Sequence, residues 1–467
     1  MRALLRPRAA GRRRGPRRGA RGGGVKLPVP APPRPFAAPA FRTRVARGGT
    51  LLRAARWGKA PTVAVAVSFP EGGTSYDLPG REGISEVTAD SYLGGTGRRT
   101  ALELAGAVDD LAAVLDVASG FDAAVARLGV LSRDLEAGLS LLFEVLGDPA
   151  FPSEEVDRSR RRQLDLLLEQ RSEPDFVARE RLLRQLYPGH PYGRLAAAEE
   201  DLESIGRDDV ARFASSRLHL ERAVVVLVGD VDPERALDLA EAALPAAAPC
   251  HEEPAPLEPP PEVEGLSFHL VPRPGSVQAN LLFARPALLR SDPRFPAAAV
   301  ANQALGGGAS SRLFQELRER RGLTYGAFSG LIARSLGGHF AASVDCRTEA
   351  AAEALDGLLS ILSDFAERGP DEAERERGVR YLSGTFAVAR ETPGAVAHDE
   401  VTRHLLGLPE DEWSTWRDRL AACGPEECRA AARELFRPDR GVVVAVGERA
   451  LLEPVLAARG PVTVWEG

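Results

Sequence analysis

Methionine occurs once in this chain of 467 residues, at Met1, and cysteine four times, at Cys250, Cys346, Cys423 and Cys428. Four thiols spread so thinly make no disulfide framework, which excludes the small cross-linked secreted scaffolds. Cys423 and Cys428 suggest half a metal site, but no second Cys/His pair lies nearby, so all four read as reduced thiols. Apolar runs are short, and none approaches the roughly 18 residues needed to cross a bilayer. The seven histidines form neither H-E-x-x-H nor H-x-x-E-H. His398 and His404 would lie on divergent faces of a helix. His190, in Tyr187–Pro–Gly–His–Pro–Tyr–Gly193, reads as a turn residue.

What is present is ordinary for a globular protein: 44% hydrophobic and 27% charged residues, in a chain too long for one core. The net charge of −6 hides a split. Residues 1–24 hold nine arginines and no acid, and removing those nine charges leaves −15 on the rest. The basic segment has no apolar h-region, so it is not a secretory signal, and no interleaved aromatics to suit nucleic acid. Arginine without acid also fits a transit segment, but the serine and the apolar stripe usual there are missing. Residues 1–24 are read as disordered, or as lying upstream of a start near Val25. The expected location is cytoplasmic, with no membrane span and no nucleic-acid partner.

Two halves repeat one plan. Ala223–Val–Val–Val–Leu–Val–Gly229 returns as Gly441–Val–Val–Val–Ala–Val–Gly447, a shift of 218; Ser172–Glu–Pro174 returns as Glu391–Thr–Pro393, a shift of 219. Leu93–Gly–Gly–Thr returns as Leu305–Gly–Gly–Gly, a shift of 212. Ordered matches at nearly one offset argue for duplication. Between the halves, residues 246–262 are rich in proline, which removes amide donors and fixes φ, so they read as a linker. The expected division is a tail over 1–24, one domain over 25–245, the linker, and a second domain over 263–467. Thr62–Phe69 alternates as a half-buried strand, Thr100–Ala–Leu–Glu103 is a capping box opening a helix through Leu115, and charged helices follow near 153–171 and 371–389. The expected fold class is α+β: two duplicated domains, each a mostly antiparallel sheet with helices packed on one face, arranged as half of a clamshell.

The densest signal is Gly306–Gly–Gly–Ala–Ser–Ser–Arg–Leu–Phe–Gln–Glu–Leu–Arg–Glu–Arg–Arg–Gly–Leu–Thr–Tyr325. Ser310 or Ser311 can cap a helix whose Leu313, Phe314 and Leu317 face one way, and Gly322 suits its stop. Arg318, Arg320 and Arg321 also suit a helix C-terminus on electrostatic grounds alone. The string resembles the second-half signature of the insulinase/pitrilysin-type peptidases, the inverzincins. The resemblance covers roughly residues 40–467. In that family an arginine and a tyrosine lie across a closed chamber from a zinc ion held by H-x-x-E-H in the first half.

By resemblance, Tyr325 donates a hydrogen bond to the developing oxyanion and Arg318 steadies the substrate. Gly306, Gly307, Gly308, Ser310 and Ser311 then contribute to substrate binding. The metal half of the signature is lost. Aligning on Gly83 and Gly95–Thr96 puts Glu86 and Asp90 where the two histidines belong and Ala89 where the catalytic glutamate belongs. The third ligand position falls on Leu166. Zinc chemistry needs two neutral imidazoles, a further carboxylate and a general base, and none survives, so no metal is expected here. Glu86 and Asp90 are instead expected on a solvated acidic helix face. The resemblance thus implies the non-zinc subunit of a heterodimer, like those of some bacterial members and of mitochondrial processing peptidase. Its partner would be a homologous H-x-x-E-H subunit carrying the zinc, and its substrate an unstructured peptide. The alternative is an inert structural or peptide-binding pseudopeptidase.

Overall fold

A computed structural model describes residues 36–245 and 256–465. The tail over 1–24, residues 246–255 of the expected linker, and Cys250 lie outside the described residues. Residues 256–262 are neither helix nor strand.

The first part runs β1 (Arg42–Val45), β2 (Leu51–Arg56), β3 (Thr62–Phe69), α1 (Ile84–Ser91), α2 (Ala101–Asp110), β4 (Val114–Ser119) and β5 (Ala124–Leu131). It continues through α3 (Leu135–Gly147), α4 (Ser153–Ser172), α5 (Pro174–Leu186), α6 (Glu199–Ser204), α7 (Arg207–Arg217), β6 (Val224–Gly229) and α8 (Pro233–Ala243). The second part runs β7 (Leu266–Pro272), β8 (Gln278–Ala287), α9 (Phe295–Gly306), a π-helical segment (Phe314–Arg320), β9 (Thr324–Ala333) and β10 (Gly338–Arg347). It then has α10 (Ala351–Arg368), α11 (Glu372–Val388), α12 (Pro393–Leu405), α13 (Glu412–Ala422), α14 (Pro425–Leu435), β11 (Gly441–Gly447), α15 (Arg449–Ala457) and β12 (Val462–Val464).

The two six-stranded sheets are ordered β1-β2-β6-β3-β5-β4 and β12-β7-β11-β8-β10-β9. Past the outermost strand they are the same sheet. The last strand of each part enters the middle parallel to the first (β6 beside β2, β11 beside β7), and the other neighbours are antiparallel. The outer strands differ: β1 pairs antiparallel with β2, whereas β12 pairs parallel with β7. The fold class read from the sequence holds, with two mostly antiparallel sheets among many helices.

Two details depart from expectation. The helix opened by the Thr100–Glu103 capping box ends at Asp110 rather than Leu115, and Ala112 takes a positive φ of 46° before β4. The helices also cover both faces of each sheet. Each part's own helices cover one face: α1, α3, α7 and α8 on the first sheet, and α9, α10, α14 and α15 on the second. The opposite face takes a helix from the other part. Val396, Ala397 and Val401 of α12 pack on Ala66, Val224, Val226 and Val228, while Ala178, Leu182, Leu183 and Leu186 of α5 pack on Leu282, Ala284, Val442, Val444 and Val446. This exchange explains the repeated valine runs, since β6 and β11 are buried on both faces. It also explains the repeated prolines: Pro174 and Pro393 each stand at the first turn of the exchanged helix, where their fixed φ suits a fresh start.

Polar contacts fix the exchange. Arg53 on β2 meets Glu400 on α12 at 2.8 Å, and Glu400 in turn pairs with Arg403 at 2.8 Å; all three are buried. Beyond α5, the Tyr187 hydroxyl lies 3.0 Å from Nδ1 of His339 on β10. Burial lowers His339 to about 3, so it stays neutral.

Candidate functional site

Helix α1 carries the positions that the resemblance assigns to metal binding. It begins after Gly83, whose amide donates to Asp77 Oδ2 at 2.7 Å, while the Ser85 amide donates to Oδ1 at 3.0 Å. Asp77 therefore satisfies the amide before this short helix and one orphan donor of its first turn from outside it. Burial raises Asp77 to about 6, and the two amides offset part of that rise. The nearby Gly–Thr turn is tied to α3, where Thr96 Oγ1 donates to Glu144 at 2.7 Å.

Glu86 and Leu166 line one cleft of about 300 Å3, together with Gln163 and Gln170 of α4 and Phe176 and Arg179 of α5. The geometry therefore brings the first and third degenerate positions together. Asp90 turns to α4 and pairs with Arg162 at 2.7 Å. Ala89, at the general-base position, is buried. The expected solvated acidic face is not found: six of the eight residues of α1 are buried, because α4 and α7 both pack on it. Glu86 is partly buried, and its carboxyl is pushed up to about 7 by burial first and by Asp77 second. Burial also raises Asp90, and Arg162 opposes that rise.

These residues do not fit zinc. Leu166 offers no donor, Ala89 no base, and Asp90 is held by an arginine, so of the four positions Glu86 alone keeps a free ligand atom in the cleft. Among the described residues no group of three or more His, Cys, Asp or Glu is placed to hold a metal ion. Arg162 was not readable from the sequence. It lies 72 positions from Asp90 in an arginine-rich helix, with nothing to set it apart. The other singled-out side chains are elsewhere. His190 accepts from the Tyr192 amide at 3.0 Å and is bonded to the Glu258 carbonyl at 3.0 Å, as suits a turn. His398 is exposed on α12, and burial lowers the half-buried His404. Cys346, Cys423 and Cys428 are free and buried.

The glycine–serine–arginine string forms the end of α9, a turn, and the π-helical segment. Gly306 packs so closely on β9 that a Cβ would lie 2.4 Å from the Ser329 amide nitrogen. Asn302 reinforces that contact by accepting from the Ser329 hydroxyl at 2.8 Å. Gly307 is similarly confined by Gln303, whereas Gly308 is more open. The expected serine cap is absent: no side chain caps the segment, and the buried Ser311 hydroxyl has no partner. Ser310 is exposed and lines a separate 440 Å3 cleft with Ser311 and Arg312. Gly322 stops the segment at a φ of 63°, where glycine avoids the Cβ penalty.

Arg320 and Arg321 are held by Glu316 at 2.8 and 3.0 Å, and Arg312 by Glu374 at 2.7 Å. Arg318 is less committed, with its guanidinium 4.6 Å from the Phe314 ring centre and 3.6 Å from Glu319. Phe314 also stacks on Phe328 of β9 at 5.7 Å, seating the segment on that strand. Tyr325 follows at the start of β9, the edge strand of its sheet, and is 88% exposed. The ladder between β9 and β10 is irregular there, and Thr324 Oγ1 bonds back to the Gly326 carbonyl at 2.7 Å. Arg318 and Tyr325 thus occupy consecutive elements at one sheet edge, with no hydrogen bond between them among the described residues.

Residues 204–382 match a family model described as the peptidase M16 inactive domain. An uncharacterized zinc protease of Streptomyces coelicolor is 26% identical over 383 residues, covering 79% of this chain and 82% of that protein. A non-peptidase homolog, YmxG, of Helicobacter pylori is 24% identical over 357 residues, covering 75% of this chain and 80% of that protein. The crystal structure of a peptidase M16 inactive domain from Pseudomonas fluorescens has a TM-score of 0.80 at 26% identity, covering 87% of this chain and 98% of that one. The resemblance to the insulinase/pitrilysin-type, or M16, peptidases is borne out: the matched model is described as an inactive domain, and the relatives are named zinc protease and non-peptidase homolog.

Proposed function

We propose that this degenerate insulinase-like chain is the non-metal subunit of a two-chain zinc peptidase, supplying Arg318 and Tyr325 to a partner's active site. The observation that carries the reading is the contrast between the two halves of the motif. Ala89 and Leu166 have lost their donors, Asp90 is held by Arg162 and one carboxyl, Glu86, is left, while Tyr325 stands almost fully exposed at the start of the edge strand β9. A large aromatic side chain so exposed contributes little to the fold of its own chain. Donors aimed at a developing oxyanion contribute strongly to turnover, on the order of 3 kcal/mol for one donor in a protease. The partner is a homologous subunit with an intact H-x-x-E-H, the zinc is the partner's, and the substrate is an unstructured peptide. Gly308 and Ser310 are the open members of the glycine–serine loop and the ones available to a substrate; Gly306 and Gly307 are demanded by packing alone.

A second reading has its own support. Because packing explains Gly306 and Gly307, part of the motif persists for structural reasons in an inert scaffold as well. Reconstitution separates the two. The chain alone should not cleave an unstructured peptide, and adding it should raise the turnover of the zinc-bearing partner by at least tenfold. A partner equally active without it would leave the scaffold reading in its place.

A further inference from the structure

The cleft that stands where a metal would sit has a chemistry of its own. Beyond Glu86, Gln163, Gln170 and Arg179, its walls are Leu166, Leu167, Phe176, Leu202 and the stretch 195–197. Its volume of about 300 Å3 is at the lower end of small-ligand sites. The nearby carboxylates are engaged: Asp90 with Arg162, Asp77 with two amides. Glu86 has no ion pair or hydrogen bond among the described residues. A carboxyl without a partner, largely withdrawn from water beside leucine and phenylalanine side chains, is costly to ionise, and a cation arriving on an apolar stem would relieve that cost.

We propose that this cleft binds an ammonium or guanidinium group carried on an aliphatic stem, with Glu86 as the counter-ion. The stem lies against Leu166, Phe176 and Leu202, and Gln170 offers an amide oxygen to a remaining N–H. Arg179 does not compete for Glu86, because Asp175 holds it at 3.0 Å. A hard divalent cation is disfavoured, since one free carboxylate is too few ligands for Mg²⁺ or Ca²⁺. The proposal concerns the chain by itself and does not depend on a zinc-bearing partner.

Binding should strengthen as Glu86 ionises. The charged groups around it are Asp77 before α1, Asp90 with Arg162 between α1 and α4, and Arg179 on α5. Beyond them lie Asp201 and Glu82 near Arg194, and Asp209 with Arg81 on the α7 side. Asp77 titrates close to the same range, so the Glu86→Gln variant is what assigns the effect to Glu86.

The test is calorimetric titration of the isolated chain with n-butylamine, with a capped alanine pentapeptide carrying one central lysine, and with the same peptide carrying norleucine. The lysine peptide should bind at least tenfold tighter than the norleucine peptide, and about tenfold tighter at pH 8 than at pH 6. Glu86→Gln should abolish both differences while keeping a melting temperature no lower than that of the parent chain. Butylamine binding that depends on Glu86, without lysine-peptide binding, would support the same site and assign it to free amines. Equal affinity for the two peptides with no butylamine binding, or binding unchanged in Glu86→Gln, would overturn the proposal.

Discussion

Glu86 and Asp90 stand one helical turn apart on α1, yet their surroundings treat them differently. Arg162 compensates Asp90, whereas Glu86 faces the cleft and is raised from 4.5 to about 7. A carboxyl raised on folding costs stability once it must ionise. That cost is absent below about 4.5, grows as pH rises from about 4.5 to about 7, and is constant above that. Glu86→Gln should therefore change unfolding free energy little at pH 4 and gain on the order of 2–3 kcal/mol at pH 8. Denaturant unfolding at the two pH values checks this, and no gain at pH 8 would mean the carboxyl is solvated after all. Motif register alone put Glu86 and Leu166 in one place, and the cleft brings them together. What the register lacked was Arg162 and the burial of α1, because both come from contacts between α1, α4 and α7 that no local pattern encodes.

At the scale of elements, the exchanged helices α5 and α12 are what make the two halves one body. Their starts were legible as Ser172–Glu–Pro174 and Glu391–Thr–Pro393, since proline marks a helix start locally. Their destinations were not, because an apolar stripe shows that a helix packs but not which sheet receives it. Leu186 belongs to the first half in sequence but is buried against the strands of the second. Leu186→Ala should destabilise by about 2–5 kcal/mol, as for a core leucine, and the loss should appear in a single unfolding transition. A loss below about 1 kcal/mol would mean that α5 is not seated on the second sheet.

Across the whole molecule, the two sheets repeat one strand order, and the edge strands β4 and β9 occupy equivalent places. In the first half, the residues that would hold a metal are replaced, leaving a cleft with one free carboxylate. In the second, the edge strand presents Tyr325 to solvent with Arg318 on the preceding segment. The account stands on that hydroxyl being used by another chain. Tyr325→Phe removes one oxygen from an 88% exposed side chain, so the variant should keep the parent's melting temperature and its affinity for the zinc-bearing subunit. The decisive measurement is the turnover of an unstructured peptide by the reconstituted complex carrying Tyr325→Phe. The account predicts a fall of about 100- to 1000-fold, as for loss of an oxyanion donor. Unchanged turnover in a fully assembled complex would contradict it.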